Sequence, residues 1–328
     1  MRRYLWLALL AVPSVVPGQN FEPPLAGFLF DSQAKVIVPV LGMPGGATLG
    51  PSLISGVDAA WFAPGSRRVL AVIDGVPRLI RNLADPHADS LALDLDRAEK
   101  AAWSPNGRAV VVSAGSRLLL VVLEPALRMK EIDLSGFGTV ISLALSDELD
   151  VAASVSEGAN GSLVWIAHAQ QPAAVASFES PVQLSAFTLG GSLVAVDAAC
   201  RLYMLEDLKG GGRLVREPSS CDSDSGSGGP LIASDRRGAR VLVVTASSVL
   251  SYDRSAGEWT ELSRLAYPVT GLQELSSPGL WGLSGPRGPG APAWIVDARG
   301  DTVPVPYFVP EANVSAQAPA ATTREEVQ

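Results

Sequence analysis

Short apolar stretches separated by turn residues run along nearly the whole chain. Between Ala101 and Glu124, a strand that ends at Trp103 is followed by the apolar runs RAVVVSA and RLLLVVLE. Asn106-Gly107 is a strong signal for a tight hairpin turn, because such turns need positive φ angles that these two residue types tolerate. The runs are short and rich in β-branched residues, which favours strands over helices. This segment therefore predicts an antiparallel meander.

The same pattern recurs at intervals of roughly 41 to 47 residues. The repeat is marked by the turn residue before each second strand: Pro23, Pro64, Pro105, Ser146, Leu189, Arg236, Pro278 and Pro319. A period of about 40–45 residues is typical of a four-stranded β-propeller blade. One meander cannot cover its own apolar faces, so the blades must pack side by side around a ring. We predict an all-β propeller of four-stranded antiparallel blades, with seven blades favoured and six as the alternative.

Three of the repeats carry a family resemblance. The segments WSPNGRAVVVS, WFAPGSRRVLAV and LALSDELDVAAS resemble the WD-like repeats of bacterial exported propellers of the TolB type. The resemblance implies a propeller fold in a periplasmic protein. The Trp-Asp dipeptide that ends the eukaryotic WD repeat is absent, so the partners of that family are not carried over.

The first repeat has no first strand before Leu25, whereas ANVSAQAP at residues 312–319 falls one period after the preceding repeat. We therefore hypothesise that this C-terminal segment supplies the innermost strand of the N-terminal blade. The alternative is a disordered tail with an incomplete or six-bladed ring. Residues 320–328 are polar and predict a disordered tail.

The N-terminus, MRRYLWLALLAVPSVVPGQ, has two arginines, an apolar stretch and small residues before Gln19. This is the pattern of a secretory signal peptide over residues 1–18, cleaved after Gly18. A membrane anchor is the alternative, but the apolar stretch is short and contains Pro13. We expect one propeller domain over residues 19–319, in the periplasm or outside the cell.

Charge excludes one class of partner. The chain has 25 Lys and Arg against 33 Asp and Glu, a net charge of −8, with no cluster of basic residues. Nucleic-acid binding needs a clustered positive surface, so it is not expected. After signal cleavage no apolar stretch is long enough for a stable membrane span.

The two cysteines, Cys200 and Cys221, belong to one repeat and its following loop. In an oxidising compartment such a pair tends to form a disulfide, which would tether the loose segment between them. The alternative is two thiols too far apart to bond.

Candidate chemistry is sparse. Three second strands end in aspartate, at Asp31, Asp74 and Asp197, and carboxylates on one face could bind a cation or a basic ligand. The alternative is that aspartate is simply a favoured turn residue. His87 and His168 lack partner motifs, and CDSDSGSGG lacks the glutamate of a calcium loop. Trp61 and Trp103 occupy matching positions, which indicates packing between blades rather than an aromatic ligand site. We expect no metal or cofactor.

The sequence therefore favours a non-catalytic exported propeller that binds a protein or small ligand through its loop face. The alternative is a propeller hydrolase or lactonase with carboxylates around the central channel. An enzyme needs titratable groups that converge from several blades, whereas first strands such as VDAAW and VQLSAF offer mainly apolar or small residues.

Overall fold

The computed structural model describes residues 24–311 apart from residues 66, 86–89, 211, 218–228, 236, 266, 288–290 and 300–301. This part of the chain forms seven antiparallel sheets, each built from consecutive strands. The sheets follow one another around a ring, so the fold is a seven-bladed β-propeller, as the repeat predicts.

The strands of the first three sheets are β1 (Leu25–Asp31), β2 (Val36–Leu41), β3 (Thr48–Leu49), β4 (Ile54–Ser55), β5 (Val57–Phe62), β6 (Val69–Ile73), β7 (Val76–Ile80), β8 (Ser90–Ala92), β9 (Lys100–Trp103), β10 (Ala109–Ala114), β11 (Arg117–Val122) and β12 (Arg128–Asp133). The strands of the remaining four are β13 (Thr139–Leu145), β14 (Val151–Glu157), β15 (Asn160–Ile166), β16 (Ala173–Phe178), β17 (Val182–Leu184), β18 (Leu193–Asp197), β19 (Leu202–Glu206), β20 (Arg213–Arg216), β21 (Leu231–Ser234), β22 (Arg240–Val244), β23 (Ser248–Asp253), β24 (Glu258–Arg264), β25 (Gly271–Glu274), β26 (Leu280–Ser284), β27 (Ala293–Asp297) and β28 (Val305–Val309). Two 3₁₀ turns, Ala167–Ala169 and Leu208–Gly210, follow β15 and β19.

The middle strands of each sheet are buried on both faces. Five of the six residues of β10 are buried, and those that face the fourth sheet pack with Leu145 and Val155 in one apolar cluster. A sheet covered on both sides by its neighbours needs apolar side chains at every position, not at alternate ones. This explains why the second strands read as continuous apolar runs such as AVVVS.

The first strands of six sheets surround the central axis. β5, β9, β13, β17, β21 and β25 contact one another in this order, and Cα atoms of β25 also come within 8 Å of those of β5. The inner ring among the described residues therefore closes with six strands, although seven sheets stand around it.

The first sheet differs from the others because it has no inner strand in the described part of the chain. β3 and β4 both pair with β2 on the edge away from β1, so together they occupy the fourth-strand position. The inner edge of β1 is contacted instead by the seventh sheet. The side-chain Nε2 of Gln273 donates to the carbonyl of Phe28, and Ser276 Oγ donates to that of Ala26 at 2.7 Å.

The two ends of the described chain meet at the outer edge of this first sheet. Leu49 N donates to the carbonyl oxygen of Pro310 at 2.9 Å, and Glu311 forms a parallel bridge with Leu49. The predicted inner strand at residues 312–319, the tail at 320–328 and the signal peptide at 1–18 lie outside the described residues, so these three stay predictions.

Two faces of the propeller are used below. The upper face carries the turns between first and second strands, such as Ser104–Gly107, and the turns between third and fourth strands. The lower face carries the turns between second and third strands, together with the connections from one sheet to the next. The inner strands thus surround one channel along the axis.

Candidate functional site

The central channel contains a cavity of about 340 Å³. It extends from Thr270 and Ser284 near the lower face to Pro64 and Pro105 in turns of the upper face. All six inner strands contribute side chains, and Phe30 of β1 completes the wall where the first sheet has no described inner strand. This volume lies within the range of about 300–1,000 Å³ that is usual for ligand pockets.

The wall of this cavity is almost free of ionisable groups. Its aromatic residues are Phe30, Trp61, Phe62, Trp103, Phe187 and Trp281. Most of the remainder is alanine, leucine and hydroxyl side chains, and Glu274 is the single residue among the lining residues that carries a carboxylate. Glu274 Oε1 accepts a hydrogen bond from Gly279 N at 2.9 Å, so it also holds a turn. The channel therefore suits an apolar or aromatic group better than a charged one.

Two contacts between sheets hold the channel wall in place. Trp103 Nε1 donates to the carbonyl of Trp61 at 2.9 Å, which links the inner strands of the second and third sheets. On the opposite side, the hydroxyls of Ser234 and Ser185 lie 3.3 Å apart. Trp103 is 6% exposed and packs against the neighbouring sheet, although it also lines the cavity. Trp61, which remains partly exposed, also lines the cavity.

A second cavity of about 360 Å³ lies on the upper face between the fourth and fifth sheets. Its apolar side consists of Trp165, Phe187 and Leu208, which are all buried in one cluster. The rim is formed by Leu189, which is 74% exposed, and by the turn that continues to Gly191. This cavity adjoins the channel, because Pro105 and Phe187 line both.

Carboxylates dominate the polar side of this second cavity. Asp147, Glu148, Asp150 and Asp207 line it together with a single cation, Lys209. Three of the four carboxylates are exposed at the rim, and Asp150 is 1% exposed. The cavity thus carries a net negative charge, on an apolar base that strengthens electrostatic interactions.

The buried Asp150 is surrounded by donors. Its Oδ1 accepts the backbone N–H of His168 at 2.8 Å and lies 3.2 Å from His168 Nδ1. Its Oδ2 lies 3.5 Å from Lys209 Nζ, which also contacts Glu148. The contact with Glu148 raises the pKa of Lys209, and the same contact lowers the pKa of Glu148. Lys209 is therefore cationic at neutral pH and partly offsets the acidic rim.

The three aspartates singled out from the sequence lie in turns of the lower face. Asp31 is buried, accepts the N–H groups of Gln33 and Ala34, and pairs with Arg287 at 3.0 Å. Its role in the described structure is to close a turn and to neutralise a buried arginine.

Asp197 is equally buried and is bound by Arg201, whose Nε lies 2.5 Å from Asp197 Oδ2. Contacts with Glu179 and with Asp197 raise the pKa of Arg201. Asp74 is exposed, and it adopts a positive φ of 51° in its turn. Asp31 and Asp197 are thus engaged by turn N–H groups and an arginine, and Asp74 lies in an exposed turn. A ligand role for them stays a prediction.

Only some of the remaining candidate residues from the sequence lie in the described part of the chain. His168 is exposed and paired with Asp150. Cys200 is buried at a φ of 55°, but Cys221 lies outside the described residues, so the disulfide stays a prediction. His87 and residues 221–228 of the CDSDSGSGG loop also lie outside them. Among the described residues, no group of three or more His, Cys, Asp or Glu side chains could hold a metal ion. No helix in the described part is long and apolar enough to cross a membrane.

The acidic cavity was missed by sequence reasoning. Its carboxylates come from SDELD at residues 146–150 and from EDLK at residues 206–209, which lie in different sheets. The first of these segments was interpreted only as part of the repeat, through Ser146. The signal that could have found the site is the density of acidic residues in two turns of the same face, in adjacent repeats.

The comparisons with known proteins support the fold. Hsv2 from Kluyveromyces lactis superposes with a TM-score of 0.54 at 10% identity over 87% of this chain and 98% of that chain. Hydrazine synthase from Kuenenia stuttgartiensis superposes with a TM-score of 0.54 at 11% identity, over 82% of this chain and 95% of that chain. The Cps50 (Swd1) β-propeller domain of Myceliophteria thermophila superposes with a TM-score of 0.50 at 12% identity, over 79% of this chain and 92% of that chain. At such low identities these likenesses show the propeller fold and not a function. No family model and no curated protein matches this sequence.

Proposed function

We propose that this protein is an exported, non-catalytic β-propeller scaffold that binds a protein or small ligand at the upper mouth of its central channel. The observation that carries the proposal is the lining of the channel, where six aromatic side chains surround a cavity with one carboxylate. Aromatic and apolar walls with few polar groups are typical of binding sites for apolar groups.

The rival function, a propeller hydrolase, requires acid, base or nucleophile groups that converge on one point. Glu274 is the one ionisable group that lines the described channel, and it is engaged with Gly279 N. Asp150 and His168 form a carboxylate–imidazole pair at the edge of the second cavity. None of the described contacts of this pair brings a Ser, Cys or Thr nucleophile to the imidazole, so we favour binding over catalysis.

The test is to fill the channel without disturbing the core. Ala186 lines the channel and is exposed, so Ala186→Trp should occupy the mouth while the sheets remain intact. The probe is Nile red, a neutral apolar dye, measured by fluorescence titration. Wild type should bind it saturably, and Ala186→Trp should bind at least about tenfold more weakly because the cavity is occupied.

The matched control is Thr260→Trp, which adds the same side chain to the exposed outer strand β24. It should bind the dye as wild type does. Equal dye binding by Ala186→Trp and Thr260→Trp would refute the channel as the binding site. Thermal melting of both variants shows whether the fold is retained.

Export is a separate part of the proposal, and it rests on the residue pattern at positions 1–18. Expression of the full chain with a C-terminal tag in a bacterium, followed by fractionation and N-terminal mass spectrometry, tests it. The expected product begins at Gln19 and is found outside the cytoplasm. An intact N-terminus in the cytoplasmic fraction would contradict export.

A further inference from the structure

The two upper-face cavities adjoin each other but differ in chemistry, and this difference indicates what they bind together. We infer that the partner is a peptide segment that carries an aromatic or aliphatic side chain close to a lysine or arginine. The apolar side chain enters the channel and the basic one enters the acidic cavity. This inference rests on the proposed function, because it names the ligand class of the same site.

The shared wall makes one ligand for both cavities possible. Pro105 and Phe187 line the channel on one side and the second cavity on the other. Side chains two residues apart in one extended peptide lie on the same side of the chain, about 6.6–7.2 Å apart, so they can occupy both cavities.

Charge selects the basic side chain. The second cavity has four carboxylates against Lys209, and Asp147, Glu148 and Asp207 are exposed at its rim. The channel has one carboxylate and no cation among its lining residues. A lysine or arginine can lay its aliphatic stem on the apolar base formed by Trp165 and Phe187 while its charged end reaches the rim carboxylates. The net charge of −8 of the whole chain further favours the approach of a cation.

The exposed apolar rim of the second cavity favours a macromolecular partner over a small cation. Leu189 stands between the second cavity and solvent with 74% of its surface exposed. A small ligand inside either cavity would leave this side chain uncovered. A peptide that continues past the cavity would cover it, as apolar residues around a binding pocket are normally covered at interfaces.

The test uses displayed short random peptides as the probe, selected on the purified full chain. Selection should enrich sequences in which an aromatic or aliphatic residue lies near a lysine or arginine. A synthetic copy of an enriched peptide should then bind wild type and Thr260→Trp equally, and Ala186→Trp much more weakly, in calorimetric titrations.

Charge is tested with the triple variant Asp147→Asn, Glu148→Gln and Asp207→Asn. These changes keep the side-chain oxygens that accept the N–H groups of Asn106 and Gly210, so the turns should stay folded. We expect binding about tenfold weaker than wild type, with a reduced dependence on salt. Glu258→Gln removes one exposed carboxylate from the outer strand β24, and it should leave binding unchanged.

The outcomes separate this inference from the proposed function. Enrichment of uncharged or acidic peptides, or unchanged affinity in the triple variant, overturns the inference even where Ala186→Trp still weakens dye binding. Peptides that bind Ala186→Trp as tightly as Thr260→Trp overturn it as well. Equal binding of Nile red by Ala186→Trp and Thr260→Trp would instead refute the channel as the binding site.

Discussion

At the scale of single residues, the same sequence pattern leads to different environments. Asp31 and Asp74 both end a second strand, in LFD and in VID. Asp31 is 5% exposed and neutralises the buried Arg287, whereas Asp74 faces solvent. The turn position was predictable from the sequence because aspartate favours turns. The arginine was not, because it comes from a loop of the seventh sheet, more than two hundred residues along the chain.

This difference gives a paired prediction at the residue scale. Asp31→Asn should lower the free energy of unfolding by about 3–5 kcal/mol, because it leaves the charge of Arg287 buried without a counter-charge. Asp74→Asn should change it by less than about 0.5 kcal/mol, since asparagine also tolerates positive φ and the site is exposed. Urea denaturation followed by tryptophan fluorescence measures both. Equal stability of the two variants would show that the Asp31–Arg287 pair is unimportant.

At the scale of elements, the apolar runs RAVVVSA and RLLLVVLE predicted β10 and β11 to within about two residues. Their apolar runs identify them as strands, because both faces of each strand are covered by neighbouring sheets. The fourth-strand position of the first sheet is less regular than that of the other sheets. Gly50 and Pro51 interrupt it, so it exists as the short β3 and β4. The Gly-Pro break is visible in the sequence, but the pairing of both short strands with β2 is not.

Gly50 provides the prediction for this element. A Cβ at Gly50 would lie 2.7 Å from Pro39 Cγ and 3.0 Å from Leu41 Cδ1. Gly50→Ala should therefore push β3 away from β2 and cost about 1–3 kcal/mol of stability. At Gly46, in the turn before β3, a Cβ would have no neighbouring atom within 4 Å, so Gly46→Ala should be neutral or slightly stabilising. Thermal melting of both variants makes the comparison, and equal melting temperatures would contradict the predicted clash.

At the scale of the whole molecule, the repeat period predicted a ring of blades. It did not predict that the number of inner strands would differ from the number of sheets. The sequence left six and seven blades open, and the described residues form seven sheets around six inner strands. This arrangement arises because β25 contacts β5 directly while Gln273 and Ser276 bind the inner edge of β1. The acidic cavity was also missed, because it forms only where turns of two adjacent sheets meet. The acidic residues of these turns are visible in the sequence, but their proximity in space is not.

Closure of the ring gives the prediction at this scale. A chain that ends at Val309 loses the hydrogen bond from Leu49 N to Pro310 and the bridge to Glu311, whereas a chain that ends at Glu311 keeps both. One such hydrogen bond is worth about 0.5–1.5 kcal/mol, and 1 kcal/mol shifts the melting temperature of a domain of this size by about 2–4 °C. The chain that ends at Val309 should therefore melt about 2–4 °C below the one that ends at Glu311.

The same pair of truncations tests the C-terminal strand predicted at residues 312–319. If that segment pairs with the N-terminal sheet, the chain that ends at Glu311 should itself melt several degrees below the full chain, because a strand at the closing interface is lost. An unchanged melting temperature in that variant would contradict the closing strand. If only the chain that ends at Val309 melts at a lower temperature, the stabilising contacts between the chain ends are those at the outer edge, between Leu49 and the two residues that follow β28.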